Sequence, residues 1–382
     1  MSDFHQSNRV SNEKYRTELF NYVKRLVCPE NFYSSKITDP QRFYLGFKNC
    51  VAPIVNTENQ RLKESLTKTN NTHLLLLKNA ALVDSIIRVA FDCSIWLCNR
   101  TLQKKIHSKD IPIAIIARSG YGREELYFQS NLKVQIISRG GQTKETKQVV
   151  KHLEYLFIHQ SIFQNLINAS YTSIESLEKE LGGNKTIDLL ALLEGRLIVG
   201  NSDIYLKFLK TVKKASLLQN ENLLNYCYEH NNYYEVSNTV FQQEPNVKEE
   251  LNRLYWALTL ARLKHDLKNT NQFELLDELL TNSLISVSAF KKIQSSLAFL
   301  SKVRLHLHCE QKGSYRDMMS YEVRENIAQS MGYEVKKFFH KYFYEAAYPL
   351  KKYSRNIFWE SMSQDIQKVK NLSRNFGVNA QH

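Results

Sequence analysis

The chain has 382 residues, 43% hydrophobic and 24% charged, which allows two or three domains with sizeable cores and is ordinary for a globular protein. No run of 18 or more apolar residues occurs and the start, Met1 to His5, has no signal-peptide core, so hydropathy excludes a membrane-spanning helix and a Sec leader. Lys and Arg total 52 against 38 Asp and Glu, a formal +14 that favours acidic partners; because it is dispersed in short pairs such as Lys104-Lys105 and Lys336-Lys337, a solvated surface is expected rather than a nucleic-acid face.

Residues 1–73 read as a polar, largely helical segment, interrupted by the turn formers Pro29, Asn31, Ser34, Ser35 and Asp39. Residues 74–102 place Leu76, Leu77, Ala80, Ala81, Val83, Ile86 and Ile87 at three- and four-residue spacing, which predicts an apolar helix. Cys93 and Cys98 lie on it as buried thiols, and the absence of any CxxC pair among six cysteines points to a reducing cytoplasm. Residues 113–117 form a continuous apolar run of buried-strand type, starting after Pro112 because proline cannot donate to a ladder. A second strand is expected at 132–137, a helix at 144–159 and a third strand at 161–169. This β–loop–β–α–β order describes a small mixed sheet with helices packed on it, an α+β arrangement. From about Asp188 the chain reads as almost wholly helical: 189–199, carrying Glu194 and Arg196, then 204–217, 222–240, 247–267, 273–280, 289–309 and 321–347. The expected division is an N-terminal helical segment at 1–73, a sheet domain at 74–187 and a helical domain at 188–382.

The segment between the first two strands carries the most information. Ser119-Gly120-Tyr121-Gly122-Arg123-Glu124-Glu125-Leu126, followed by Ser130-Asn131-Leu132-Lys133-Val134, has the layout of a nucleotide-handling loop, in which a Gly-rich turn lets backbone N–H groups approach phosphate. The candidate nucleotide-binding residues are therefore Ser119, Gly120, Tyr121, Gly122, Arg123, Ser130 and Lys133. Such a site needs acidic residues on the next strand to hold Mg²⁺ against a triphosphate, and those places read Asn131 and Lys133. A purely structural role competes at each position. Gly120 and Gly122 can serve a tight strand exit, Arg123 can pair with Glu124 or Glu125, and Glu194 and Arg196 can form pairs that support the sheet. His306 and His308, two residues apart, suit neither zinc nor a general-base pair and are expected in the core.

The same loop, Gly-Tyr-Gly-Arg-x-Glu-Leu after an apolar strand with Ser130 following, resembles the nucleotidyltransferase domain of bacterial PII-protein uridylyltransferases, whose pattern is G-G-Y-G-R-x-E-L-x-P-x-S-D-I-D-L. Ser119 stands in place of the first Gly. Further segments are similar to that family in the same order: 192–200 to L-L-D-A-R-L-L-A-G, 244–249 to E-P-N-[IV]-K-E, 303–308 to V-R-x-x-L-H and 331–333 to L-G-Y. The resemblance spans roughly residues 110–335. It implies a polymerase-β-like nucleotidyltransferase domain flanked by the N-terminal helical segment and the large C-terminal helical domain.

Departures from the pattern bear on function. The metal-binding D-x-D of the family is Asn131-Leu132-Lys133, and the third-strand candidate holds Gln164, Asn165 and Asn168 but no carboxylate. The G-P-G-G-L-R-D that follows the E-P-N-[IV]-K-E motif is missing, and Glu249 runs directly into Glu250-Leu251-Asn252. The family's hydrolase and ligand-sensing regions lie downstream of L-G-Y, where this chain has about fifty residues. The expectation is a catalytically degenerate nucleotidyltransferase-like protein of the bacterial cytoplasm, with no catalytic residue, metal or cofactor of its own. It would act on a protein partner or on a nucleotide held without metal, and not on a membrane or nucleic acid. The alternatives are an active, divergent uridylyl- or adenylyltransferase modifying a PII-like protein, using Mg²⁺ and a nucleoside triphosphate, and a basic nucleic-acid-binding protein.

Overall fold

A computed structural model describes residues 2–31, 40–140, 143–158, 167–182, 186–236, 244–311 and 316–375. The chain divides into two compact units, residues 1–223 with 308–316 and residues 224–307 with 317–382.

The first unit begins with three helices, α1 (Ser2–Leu26), α2 (Pro40–Lys68) and α3 (Thr72–Leu102). Asn71 caps α3, its side chain accepting from the Leu74 N–H, and Leu75 to Leu77, Ala80 to Val83, Ile86 and Ile87 are buried along it. β1 (Ile113–Arg118) follows, then one helical turn, α4 (Ser119–Gly122), and β2 (Leu132–Ser138). α5 (Lys144–Ile158) crosses over to β3 (Ile167–Ser173), and α6 (Ile174–Leu181), α7 (Thr186–Leu193), β4 (Arg196–Gly200) and α8 (Ser202–Leu218) complete the series. The strands lie in the order β3-β2-β1-β4. β1 is antiparallel to both neighbours and β2 is parallel to β3, so the sheet is mixed. α3 packs on α1, α2, α5 and β4, while α8 packs on β1, β2, α6 and α7. The α+β class with helical flanks is the observed architecture.

One expectation fails here. The helix predicted over 189–199 stops at Leu193, and Arg196–Gly200 instead pairs with β1 as the sheet's fourth strand. Gly195 explains the break. A Cβ there would lie 2.8 Å from the Leu192 carbonyl oxygen and 2.9 Å from the Phe208 ring, so the chain reverses in a space that no side chain can share. The third strand also lies later than expected, at Ile167–Ser173, while residues 161–166 fall outside the described residues. Residues 32–39, 159 and 237–240, included in the expected turn and helices, likewise lie outside them.

The second unit is helical: most of α9 (Asn220–Val236), then α10 (Val247–His265), α11 (Gln272–Thr281), most of α12 (Val287–Glu310), α13 (Arg324–Ser330), α14 (Val335–His340), a π-helical stretch (Lys341–Ala347) and α15 (Tyr348–Asn375). α10 packs along α15. The single helix expected over 321–347 is divided at Gly332, which has φ +75°. The Tyr333 N–H bonds the Ala328 carbonyl at 2.8 Å and the Gly332 N–H bonds Gln329 at 2.9 Å, the hydrogen-bond pair of a left-handed helix stop. Among the described residues, no helix is long and apolar enough to cross a membrane.

Candidate functional site

The glycine loop is not an open cradle. β1 ends at Arg118, Ser119 takes φ +55°, and the chain closes one turn with Arg123 N–H on the Ser119 carbonyl (2.9 Å) and Glu125 N–H on the Gly120 carbonyl (2.8 Å). Gly122 is needed for close approach: a Cβ there would come 2.1 Å from the Glu194 carbonyl oxygen and 2.9 Å from that of Ala117. At Gly120 the nearest atoms would be at 3.5 and 3.6 Å, an ordinary contact. Tyr121 is buried and its hydroxyl donates to Asp84 Oδ1 at 2.6 Å. Arg123 is paired with both Glu125 (2.9 Å) and Glu194 (2.7 Å). Two of the seven candidate residues thus turn their side-chain polar groups toward partners within the protein.

Behind the loop lies a buried ionic network. Asp84, fully buried on α3, accepts both Nη1 (2.8 Å) and Nη2 (3.0 Å) of Arg196 on β4, with Arg16 of α1 at 3.4 Å. Glu124, at φ +60°, is held by Arg9 and Arg16 of α1, with Arg196 at 3.9 Å. Burial pushes the Glu124 carboxyl up, but the Arg196, Arg9 and Arg16 guanidiniums outweigh it and bring it down to about 2. Burial, and then Asp84, push the Tyr121 phenol well above its usual range. The sequence reading assigned Glu194 and Arg196 to structural pairs, and both are so engaged. It missed Asp84, Arg9 and Arg16. A lone acid inside an apolar helix was the available signal for Asp84, since a buried charge requires partners.

The other half of the candidate site lies across the sheet. Arg118 on β1 is directly opposite Lys133 on β2, and Lys133 is directly opposite Asn168 on β3. Asn131, Lys133 and Asn168 are exposed. Alternation along the strands puts Gln135 and Ser170 on the face that carries Lys133 and Asn168. Ser170 donates to Gln135 Oε1 at 2.9 Å and accepts a long contact of 3.4 Å from Arg118 Nη2. Magnesium needs oxygen ligands, with one or two carboxylates usually among them. Neither β2, Leu-Lys-Val-Gln-Ile-Ile-Ser, nor β3, Ile-Asn-Ala-Ser-Tyr-Thr-Ser, contains one. Two cations and neutral amides do not form a magnesium site. Among the described residues, no cluster of three His, Cys, Asp or Glu is arranged to hold a metal elsewhere.

The remaining family-like segments serve the helical unit's architecture. Asn246 caps α10, accepting from the N–H groups of Lys248 and Glu249. The Pro245 carbonyl receives the Met319 N–H at 2.9 Å, and Arg304 pairs with Asp317 at 2.6 Å. α10 then runs without interruption through Glu250 and Trp256. His306 is buried in the helical unit beside Ser330 (3.0 Å), while His308, in the 308–316 stretch of the first unit, accepts the Gln129 N–H at 3.1 Å; both are buried, as expected of core histidines.

Comparison with known proteins agrees with these segments. The profile of the family described as GlnD PII-uridylyltransferase matches residues 227–358, within the helical part and not on the glycine loop. Three similar proteins each bear the name bifunctional uridylyltransferase/uridylyl-removing enzyme. One from Haemophilus influenzae (strain 86-028NP) is 26% identical over 59% of this chain and 26% of its own length. One from Erythrobacter litoralis is 26% identical over 70% of this chain and 28% of its own length. One from Zymomonas mobilis is 24% identical over 80% of this chain and 34% of its own length. The chain therefore spans about a quarter to a third of the length of the curated relatives it matches.

Proposed function

We propose that this chain, a relative of the PII-protein uridylyltransferases, is a nucleotidyltransferase-like protein that keeps the scaffold without metal-dependent transfer. On this reading it works in the bacterial cytoplasm by binding a protein partner or a nucleotide held without metal. One observation carries the reading: Lys133 occupies the strand position where the resembled pattern places a metal-binding aspartate, and Arg118 faces it from the next strand. At about 4 Å and an effective dielectric near 20, like unit charges repel by roughly 4 kcal/mol, and a divalent ion doubles that. The inward pairing of Tyr121 and Arg123 also supports a loop that is now structural.

The test is a titration of UTP and ATP against the unmodified protein with and without Mg²⁺, with a labelling assay on the protein itself and on a PII-like protein. No Mg²⁺-dependent binding and no labelling are expected. Mg²⁺-dependent binding, or labelling abolished by changing Arg123, overturns the reading. Gain of Mg²⁺-dependent binding only in the double variant Asn131→Asp with Lys133→Asp supports an inherited scaffold with a lost metal site.

A further inference from the structure

The helical unit presents one long exposed face. α14, the π-helical stretch and α15 follow one another without a break, and Tyr342, Ala346, Leu350 and Ile357 turn inward, on the side where α10 packs along α15. The outer side carries His340, Tyr344, Tyr348, Lys352, Arg355 and Trp359, all exposed, at successive spacings of four, four, four, three and four. Tyr344 is 59% exposed, Tyr348 51% and Trp359 47%, so three large rings stand in water along one line. In a regular α-helix His340 and Tyr348 would be turned about 80° apart, at roughly 3.6 residues per turn. The i→i+5 turns of Lys341–Ala347 hold more residues each and cancel most of that rotation. The π-helical stretch thus lines up the face, and the His340 and Tyr344 rings lie 5.2 Å apart on it.

The order of residue types along this face is self-complementary. Tyr348 and Lys352 lie two positions either side of 350, Tyr344 and Arg355 six and five, and His340 and Trp359 ten and nine. When a helix pairs antiparallel with a copy of itself about a two-fold axis, positions equidistant from the axis meet. With the axis at Leu350, Lys352 faces Tyr348 of the other copy, Arg355 faces Tyr344 and Trp359 faces His340, each contact made twice. Ammonium and guanidinium groups are attracted to the faces of such rings. The exposed acids agree, because Glu345 falls opposite Arg355 and Glu360 opposite His340. A single-stranded nucleic acid would stack on the same rings, but its phosphates would meet Glu345 and Glu360. A second copy satisfies both signs of charge.

We propose that this face is a self-association surface, on which two copies of the chain pair antiparallel about a two-fold axis at Leu350. The pairing involves neither the sheet nor a nucleotide, so it stands apart from the metal-free reading. It is weak. One helix pair is a small interface, below roughly 1,200 Å² in total. The two Lys352 side chains near the axis and the +14 of each copy also oppose it. A dissociation constant of about 10–100 µM is expected.

Sedimentation equilibrium of the full chain tests this, from roughly 1 to 300 µM at about 0.15 M salt, where screening tempers the net charge. The average mass should climb from one chain toward two. Tyr344→Ala and Trp359→Ala, both at exposed positions, should each weaken the dimer at least about tenfold. Glu345→Arg and Arg355→Glu change the net charge in opposite directions, yet each sets like charges face to face, and both should weaken it. The double variant should recover most of the loss. Its swapped pair meets only across the axis, since within one chain the two positions are about 15 Å apart along the helix. A chain that stays monomeric up to the highest concentration overturns the proposal, as does self-association insensitive to Tyr344→Ala and Trp359→Ala. Loss in the single charge variants without recovery in the double overturns the antiparallel register. A titration with fluorescent oligouridylate completes the test: binding abolished by Tyr344→Ala in a chain that remains monomeric assigns the face to single-stranded nucleic acid and sinks the proposal.

Discussion

Gly122 and the Glu194 carbonyl are in such close contact that a methyl group on Gly122 would lie 2.1 Å from that oxygen. The glycine turn after β1 and the turn before β4 are thereby seated against each other. The second glycine of the loop is required by protein packing, whatever the first one does.

Gly122→Ala is accordingly expected to destabilise the first unit strongly, by roughly 3 kcal/mol or more, because backbone atoms on both sides must move. Gly120→Ala, whose new Cβ meets only ordinary contacts, should cost no more than about 1 kcal/mol. Urea unfolding of the two variants checks the contrast. Equal midpoints would show that the seating is slack.

Asp84 is the hub of the buried network. Asp84→Asn would leave the Arg196 and Arg16 guanidiniums without their shared charge, and the expected loss is about 3–5 kcal/mol. Lys337→Ala, which breaks an exposed pair with Glu334, should leave the unfolding midpoint nearly unchanged. Denaturant midpoints measured together decide whether the network supports the fold.

Acid should weaken the first unit in two stages. His152 is buried on α5 beside the Tyr44 hydroxyl at 2.6 Å, and burial followed by Lys151 brings it from 6.5 down to about 4. A base with a depressed folded value takes up a proton more readily when unfolded, so its contribution falls as pH drops from 6.5 to about 4. Glu124, lowered from 4.5 to about 2, favours the fold above pH 4.5 and loses that contribution as pH falls toward 2. Each stage carries at most about 3.5 kcal/mol, at roughly 1.4 kcal/mol per unit. Thermal midpoints from pH 7 to 2 should fall through both windows, and His152→Gln should flatten the upper one. A midpoint indifferent to pH between 6.5 and 4 would contradict the His152 assignment.

Asn246 offers a local test in the helical unit. Asn246→Ala removes the side-chain acceptor for two N–H groups of α10 and should cost about 1 kcal/mol, while Asn246→Asp keeps the cap. Circular-dichroism melts of the two variants compare them directly, and equal losses would show that the side chain's size matters rather than its acceptor.

Much of the frame was legible because it is periodic. The α3 stripe, the apolar β1 run and the long helices α8, α10 and α12 follow directly from residue spacing. β4 was misread because Leu189 to Val199 is apolar on both sides of Glu194-Gly195-Arg196, and a short apolar run looks the same in a helix and a buried strand. The arbiters were Gly195, Gly200 and the β-branched pair Ile198-Val199 between them. The division at Gly332 had a similar signal, a glycine in a long helical pattern. In the candidate site, Asn131 and Lys133 could be read as departures from a pattern. Arg118 could not be read so, because its significance comes from strand register: only the pairing of β1 with β2 places it opposite Lys133. The clamp of Arg9 and Arg16 on Glu124 was equally out of reach, since no local rule links residues more than a hundred positions apart.

That clamp also has a kinetic consequence. Arg9 and Arg16 meet Glu124 across sequence separations of 115 and 108, and Asp84 meets Arg196 across 112. Loop-closure entropy must be overcome before any of these pairs forms, and such long-range contacts slow the search for the native state. During synthesis Arg16 of α1 can meet Glu13 and Asp84 early, but Glu124 follows only with the turn after β1, and Asp84 waits longer still for Arg196 on β4. The first unit therefore cannot mature helix by helix. Its ionic centre closes only after about two hundred residues are available, which makes completion of β4 the natural commitment point of its folding.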